Sequence, residues 1–304
     1  MLSIRARAVR ALIQRSARST RELTLEERRR RIDRLASRVG PPRGTLVESL
    51  QAPGLRGEWV SVPRSREDRL VLYLHGGAFC MGSPLSHRGL VGLICRQAGA
   101  RALSLDYALA PEHPFPAALD DTLGAWRYLR ARGIPADRIV LAGDSAGANL
   151  VLVTLLMLRD AGEALPAAGV CLSPPTDFTG GGESVTSRAH LDLLVKLDSV
   201  VPLLRSYAGS LKVDDPRLSP LFADLSGLPP LLVMVGSHEI LYDDSVRFVQ
   251  KARESGVDAR LVVGEKLWHV WPAAAPWVPE ATRAVASIGR FIREQVPDRF
   301  PHGA

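Results

Sequence analysis

The sequence has little of what several classes of protein require. None of its apolar runs approaches the roughly 20 residues that a membrane-spanning helix needs. Arginine interrupts the N-terminal segment throughout, so the stretch of roughly 7–15 apolar residues that marks a secretory signal is missing. Only three cysteines are present, Cys80, Cys95 and Cys171, and their odd number and spacing predict free thiols in a reducing compartment. We therefore expect a cytoplasmic location.

Excess positive charge is confined to the N-terminal segment. Residues 1–40 contain 12 arginines, no lysine and four acidic residues, a net charge of +8, whereas the whole chain carries +7. The other 264 residues therefore sum to −1. They contain no recognisable nucleic-acid-binding module, so we expect no nucleic-acid partner.

Residues 1–45 are predicted to form an N-terminal arm, followed by a body at residues 46–304. The arm is predicted to contain two amphipathic helices before the break at Gly40-Pro41-Pro42, because apolar residues recur there at helical spacing: Ile4, Val9, Leu12 and Ile13, then Leu25, Ile32 and Leu35. We expect these helices to pack over the body. A basic amphipathic helix also suits a membrane surface, which is the less favoured alternative.

The body alternates short apolar runs with longer helical patterns. The strand-like runs cover residues 69–74, 101–105, 138–142, 168–172, 230–235 and 259–263. The helical patterns cover residues 84–98, 116–132, 146–161, 240–255 and 278–295. This alternation predicts a single α/β domain in which helices cover both faces of a mostly parallel sheet. Residues 178–215 interrupt the alternation with three glycines and a helical pattern over 191–207, so we interpret them as an insertion.

The pentapeptide Gly143-Asp144-Ser145-Ala146-Gly147 lies between a predicted strand and a predicted helix. This is the G-x-S-x-G nucleophile elbow in the strand–turn–helix context that it requires. Small flanking residues permit a sharp turn that presents the serine hydroxyl, and the helix N-terminus behind it favours developing negative charge. The pattern predicts Ser145 as a catalytic nucleophile.

A second glycine-rich loop, His75-Gly76-Gly77-Ala78-Phe79, ends the first strand of the body. Acyl transfer produces an oxyanion, which preorganised backbone N–H groups stabilise. We predict that the amides of Gly77, Ala78 and Ala146 form this oxyanion hole. Ala78 can serve because only its N–H is needed. His75 is then expected to orient the loop rather than to act as the base.

A serine nucleophile needs a base, and in this arrangement the chain order is serine, acid, histidine. His190 lies in the predicted insertion, and His238 lies at a strand end where a structural role is expected. His269 follows the last strand and precedes the last helix, so we predict it as the base.

The orienting acid should follow the strand at residues 230–235. Glu239 comes first in the turn after that strand, and we predict it as the acid. Asp243 and Asp244 are the alternatives, although both are expected in the first turn of a helix, where they complement the helix dipole. Asp177, after the preceding strand, is a more distant alternative.

Together these motifs resemble the hormone-sensitive-lipase-like esterases, the bacterial family IV branch of the α/β-hydrolase superfamily. His75-Gly76-Gly77-Ala78 resembles the HGGG loop of that family, and residues 143–147 match its GDSAG elbow. Residues 107–117 resemble its Y-R-L-A-P-E-x-x-F-P-A segment. Two departures stand out: Ala78 replaces the third loop glycine, and Glu239 stands where the family usually has a catalytic aspartate.

The resemblance implies an α/β-hydrolase fold with a helical cap formed by the arm at residues 1–45 and the insertion at residues 178–215. It also implies a serine carboxylesterase of short to medium acyl esters that needs no cofactor and no metal, with a small-molecule ester as its partner. An amidase, lactonase or deacetylase with the same triad is the main alternative. A non-catalytic ligand receptor on the same fold is the other.

Overall fold

One mixed sheet forms the centre of the molecule. The computed structural model describes residues 2–18 and 23–298, so residues 1 and 19–22 of the predicted arm and 299–304 of the predicted body lie outside it. The described residues form eight strands: β1 (Leu46–Ser49), β2 (Gly57–Ser61), β3 (Arg66–Leu74), β4 (Ala100–Leu105), β5 (Ile139–Asp144), β6 (Ala168–Leu172), β7 (Leu231–Gly236) and β8 (Ala259–Gly264). Their order is β1-β2-β4-β3-β5-β6-β7-β8. The pairings β1–β2 and β2–β4 are antiparallel, whereas β4, β3 and β5 to β8 run parallel.

The six strands predicted from the sequence correspond to β3 to β8, which confirms the predicted α/β class. The sequence analysis missed β1 and β2 because neither has a continuous apolar run. β1 is mostly exposed, and β2 is a five-residue strand that begins with glycine and has a single fully buried residue, Val60. By contrast, every residue of β5, β6 and β7 is buried, and such strands are recognised as unbroken apolar runs.

Helices cover both faces of the sheet. Within the described ranges they are α1 (Ile4–Arg18), α2 (Leu25–Val39), α3 (Pro84–Ala98), α4 (Ala117–Ala131), α5 (Ala146–Asp160), α6 (Ser184–Ser187), α7 (Leu197–Ala208), α8 (Tyr242–Glu254) and α9 (Pro279–Gln295). Side chains of α4, α5 and α8 form the apolar core on one face, and those of α3 and α9 form it on the other. The helices predicted in the body lie within two residues of their observed bounds.

The insertion differs from its prediction in two respects: it contains the short helix α6, which was not predicted, and α7 starts later than expected. Helical spacing predicted a helix from residue 191, but α7 begins at Leu197. The carboxylate of Asp192 accepts the backbone amides of Leu194 and Val195 at 3.0 and 2.9 Å. This local turn competes with the helix for the same N–H groups and delays its start.

The two helices of the arm contact the body. The backbone amide and the hydroxyl of Ser3 donate to the carboxylate of Glu280 in α9 at 2.8 and 2.9 Å. Helix α2 begins with a capping box between Thr24 and Glu27 and packs against α3. No helix of the described chain is long and apolar enough to span a membrane.

Candidate active site

Ser145 stands at the sharp turn between β5 and α5. Its backbone has φ 51° and ψ −121°, a strained conformation for a non-glycine residue. Its amide donates to the carbonyl of Leu172 in the neighbouring strand at 2.7 Å, which anchors the turn. A Cβ at Gly147 would lie 2.0 Å from the carbonyl oxygen of Leu74, so only glycine permits this close crossing. The elbow therefore has the conformation that its sequence predicts.

The glycine-rich loop after β3 lies beside the elbow. Gly77, Ala78 and Phe79 have φ values of 128°, 53° and 60°, so three successive residues adopt positive φ. The carbonyl of Gly77 accepts the amides of Cys80 and Met81 at 3.1 and 2.9 Å, which closes a tight turn. Among the described residues, none accepts the amide hydrogen of Gly77, Ala78 or Ala146. These amides thus remain available to bind a ligand oxygen.

His269 and Glu239 form a buried hydrogen-bonded pair. Nδ1 of His269 lies 2.7 Å from Oε2 of Glu239, whose side chain is fully buried. The other carboxylate oxygen accepts the hydroxyl of Ser173 at 2.8 Å and the amide of Gly236 at 2.5 Å. These contacts fix the carboxylate. They hold the imidazole in the tautomer that leaves Nε2 free to accept a proton.

The environment of His269 favours its protonated form. Burial disfavours the imidazolium, but the charge and the hydrogen bond of Glu239 outweigh that effect and raise the pKa of His269 above its usual value of 6.5. The acid of the pair is thus placed to stabilise the positive charge that a general base acquires.

The other carboxylates considered from the sequence are engaged elsewhere. Asp243 and Asp244 lie in the first turn of α8, as expected, and both bind backbone amides. Burial raises the pKa of Asp244 to about 6. The contacts are Ser184 N to Asp243 (2.7 Å), Thr176 N and Asp177 N to Asp244 (2.7 and 2.9 Å), and Arg247 Nη1 to Asp177 (2.7 Å).

Two other histidines considered from the sequence, His75 and His238, also have different surroundings. His75 is fully buried, stacks on Tyr107 with ring centroids 4.2 Å apart, and has its pKa lowered by burial to about 3. It lies under the loop, in keeping with the expected orienting role. Nδ1 of His238 lies 3.1 Å from the guanidinium of Arg10. Burial lowers the pKa of His238 most, and the positive charge of Arg10 lowers it further.

The sequence analysis missed several residues that support the site. Asp144 lies beneath the glycine-rich loop, where its carboxylate accepts the hydroxyl of Tyr73 at 2.7 Å and the amide of Gly76 at 3.1 Å. His87 Nε2 lies 3.3 Å from the same carboxylate. Ser173, which binds Glu239, also accepts the amide of Val270 at 3.1 Å. Its position directly after β6 was the only sequence signal for it.

Ser145, His269 and the three residues with unbonded amides, Gly77, Ala78 and Ala146, line one cavity of about 1080 Å³. The arm and the insertion both contribute to its walls, and apolar side chains dominate there. From the arm these are Val9, Ile13 and Ile32, and from the insertion Phe178, Val185, Leu194, Val195, Leu197, Val200, Val201, Leu203, Leu204, Ala208 and Val213. Over the described part of the chain, no three His, Cys, Asp or Glu side chains cluster so as to hold a metal ion.

Comparison with known proteins agrees with this architecture. A profile of the α/β-hydrolase fold matches residues 71–273. An acetyl-hydrolase of Streptomyces hygroscopicus is 40% identical over 277 residues, which cover 90% of this chain and 91% of that protein. An esterase of Acinetobacter venetianus is 36% identical over 256 residues, or 84% of each chain.

A solved structure gives the same result in three dimensions. The crystal structure of an esterase from the bacterial hormone-sensitive lipase family matches with a TM-score of 0.93 and 42% identity, over 97% of this chain and 99% of that one. The fold and the elbow define an α/β hydrolase, and the chain belongs to that family, in its hormone-sensitive-lipase-like esterase branch. This confirms the resemblance that the three sequence motifs indicated.

Proposed function

We propose that this chain hydrolyses carboxylic esters through an acyl-enzyme on Ser145, with His269 as the general base and Glu239 as the orienting acid. The observation that carries the proposal is the buried 2.7 Å hydrogen bond between His269 and Glu239, beside a cavity that also holds the elbow serine. The relatives named acetyl-hydrolase and esterase support the same chemistry.

The reaction has two proton-balanced halves. Oγ of Ser145 attacks the ester carbonyl carbon while Nε2 of His269 takes its proton. When the tetrahedral intermediate collapses, the bond to the alkoxy oxygen breaks and His269 returns the proton to the leaving alcohol. Water then attacks the carbonyl carbon of the acyl-enzyme while Nε2 of His269 takes a proton from it. When the second tetrahedral intermediate collapses, the bond to Oγ of Ser145 breaks, His269 returns the proton to Oγ, and the carboxylic acid leaves.

In each half the carbonyl oxygen becomes negatively charged. The amides of Gly77, Ala78 and Ala146 are the groups that we assign to it, because they line the cavity and have no acceptor among the described residues. Ala78 does not weaken this assignment, since donation needs only the backbone N–H.

We further propose that residues 1–45 and the insertion at residues 178–215 form a cap over a catalytic domain at residues 46–304. Both segments supply apolar walls to the cavity, including Val9 and Ile32 from the arm and Leu197 from α7. A cavity of about 1080 Å³ with such walls suits a short to medium acyl chain together with the alcohol portion of the ester.

Hydrolysis of a series of p-nitrophenyl esters tests the activity and its range. We expect kcat/KM to be highest between acetate and octanoate and to fall steeply at palmitate, because the capped cavity limits the acyl chain. Ser145→Ala measured across the same series is the control for spontaneous hydrolysis. Cleavage of p-nitroacetanilide at a rate comparable with the acetate ester would instead favour the amidase alternative.

The pH profile tests the base. Protonated His269 cannot accept the serine proton, so kcat/KM should fall as the pH drops through the pKa of His269 in the free enzyme. Because Glu239 raises the pKa of His269, the midpoint of this acid limb should lie above 6.5. A profile that stays flat down to about pH 4 would contradict a histidine base.

A further inference from the structure

The loop that carries two of the proposed oxyanion amides is strained. Ala78 and Phe79 both have positive φ, a region that residues with a side chain adopt only when their surroundings hold them there. The ring of Phe79 stacks on Tyr207 of α7 with centroids 3.7 Å apart, and its carbonyl accepts the amide of Ala110 at 2.9 Å. These contacts hold the loop from the side of the body and of the insertion.

A guanidinium from the arm also holds the loop. Nε of Arg29 in α2 donates to the carbonyl of Cys80 at 2.7 Å, directly after the strained residues. One terminal nitrogen of Arg29 also donates to the carbonyl of Ala110 at 2.9 Å. The guanidinium of Arg29 therefore connects the glycine-rich loop to the segment at residues 107–117.

A carboxylate orients this guanidinium. Glu112 accepts both terminal nitrogens of Arg29 at 2.8 Å each, a bidentate geometry that fixes the plane of the fork. Hydrogen bonding from Arg29 lowers the pKa of Glu112 to about 2. Although Glu112 is half-exposed, the pair stays ionised at any pH at which the enzyme is expected to work.

Helix α2 contacts the loop at a second point. Asp33 lies one helical turn after Arg29, so both side chains share one face of the helix. Its Oδ1 accepts the hydroxyl of Ser83 at 2.5 Å, and Ser83 caps the N-terminus of α3. The arm thus binds both ends of the segment at residues 80–83, which connects the oxyanion amides to α3: Arg29 binds Cys80 and Asp33 binds Ser83.

We propose that Arg29 is a positioning residue for catalysis, which holds the amides of Gly77 and Ala78 in place through the carbonyls of Cys80 and Ala110. The arm then has two roles: its apolar residues wall the cavity, and Arg29 sets the geometry of the oxyanion hole. This inference rests on the proposed ester hydrolysis at Ser145.

Arg29→Met tests the inference, with Arg30→Met as the matched control. Methionine keeps the helix propensity and the unbranched stem but removes every hydrogen bond. Arg30, the next residue of α2, is exposed and pairs with Glu26 of its own helix. Because misplacing catalytic groups by about 1 Å costs on the order of 100-fold, we expect Arg29→Met to lower kcat roughly 10- to 100-fold, with KM changed less than about 2-fold. Arg30→Met should change neither.

An aryl trifluoromethyl ketone separates positioning from general destabilisation. Its adduct with the serine carries an oxyanion, so its Ki should rise in Arg29→Met by the same factor by which kcat/KM falls. Glu112→Gln, which leaves both carbonyl contacts of Arg29 but releases its orientation, should fall between wild type and Arg29→Met in both measurements. If Arg29→Met does not fold, kcat and the ketone Ki of Glu112→Gln test the positioning role instead.

The possible failures are distinguishable. Arg29→Met or Glu112→Gln with unchanged kcat and unchanged ketone affinity would overturn the positioning role, as would a raised KM with kcat unaltered. Neither outcome touches the proposed function, which is tested separately by the activity of Ser145→Ala, the ester series and the pH profile.

Discussion

Ser145→Ala should abolish ester hydrolysis, with kcat reduced by about 10⁶-fold, because removal of a triad nucleophile costs as much as removal of the whole triad. The same variant should lose labelling by a fluorophosphonate, which intact-mass spectrometry detects as a single adduct on the unsubstituted protein. No other hydroxyl in the described chain combines a strained elbow with a place in the wall of the cavity that also holds His269.

The substitution should leave folding intact. Alanine already occupies a positive-φ position at residue 78, and the turn at residue 145 is anchored by its backbone amide rather than by the hydroxyl. We therefore expect a melting temperature close to that of the wild type. Ser199→Ala is the matched control: it removes another serine hydroxyl from the wall of the same cavity, away from the elbow, and should keep the adduct on Ser145. Labelling that survives in Ser145→Ala would refute the nucleophile.

The loss of hydrolysis and of labelling in Ser145→Ala would also distinguish an enzyme from a ligand receptor on this fold. A receptor would bind esters in the cavity and gain nothing from a serine activated by a base. The buried Glu239–His269 pair, held by Ser173 and Gly236, is an expensive arrangement for a binding protein, since a buried carboxylate must be desolvated. Its presence beside the elbow supports catalysis rather than binding alone.

Features of the fold and the site could be predicted from the sequence when the residues that determine them are close together in the chain. The central strands and body helices were predicted because their burial produces continuous local patterns. The elbow was predicted because strand, turn and helix are adjacent in sequence. Strands β1 and β2 were not predicted, because neither contains a continuous run of buried residues. The start of α7 was misplaced because the side chain of Asp192 binds two backbone amides.

The supporting residues of the site escaped prediction for a different reason. Ser173 meets Glu239 across 66 positions of the chain, Arg29 meets Cys80 across 51, and His87 meets Asp144 across 57. No local pattern in the sequence encodes such contacts, which exist only when the sheet order and the docking of the arm are known. A serine at the end of a strand and an arginine in a basic helix are both common, so neither Ser173 nor Arg29 can be recognised before the structure shows which residue each one contacts.

Glu239, the proposed acid of the triad, gives the most discriminating test. In Glu239→Gln the side-chain oxygen should stay with the donors Ser173 Oγ and Gly236 N, because both need an acceptor. The amide nitrogen then faces Nδ1 of His269 and donates to it. This places the imidazole proton on Nε2, the wrong tautomer for a base, and removes the charge that stabilises the imidazolium. Such a change lowers kcat by about 10⁴-fold in a serine triad.

We therefore expect Glu239→Gln to lose on the order of 10⁴-fold in kcat with little change in melting temperature, since the substitution keeps the buried shape. The residual activity should show its acid limb at lower pH, because the carboxylate that raises the pKa of His269 is gone. Asp243→Asn is the matched control: Asp243 binds the amide of Ser184 at the start of α6, so its loss should cost stability at that contact and far less in rate. If Asp243→Asn were folded but inactive while Glu239→Gln kept its activity, Asp243 would be the acid and the assignment of Glu239 would be wrong.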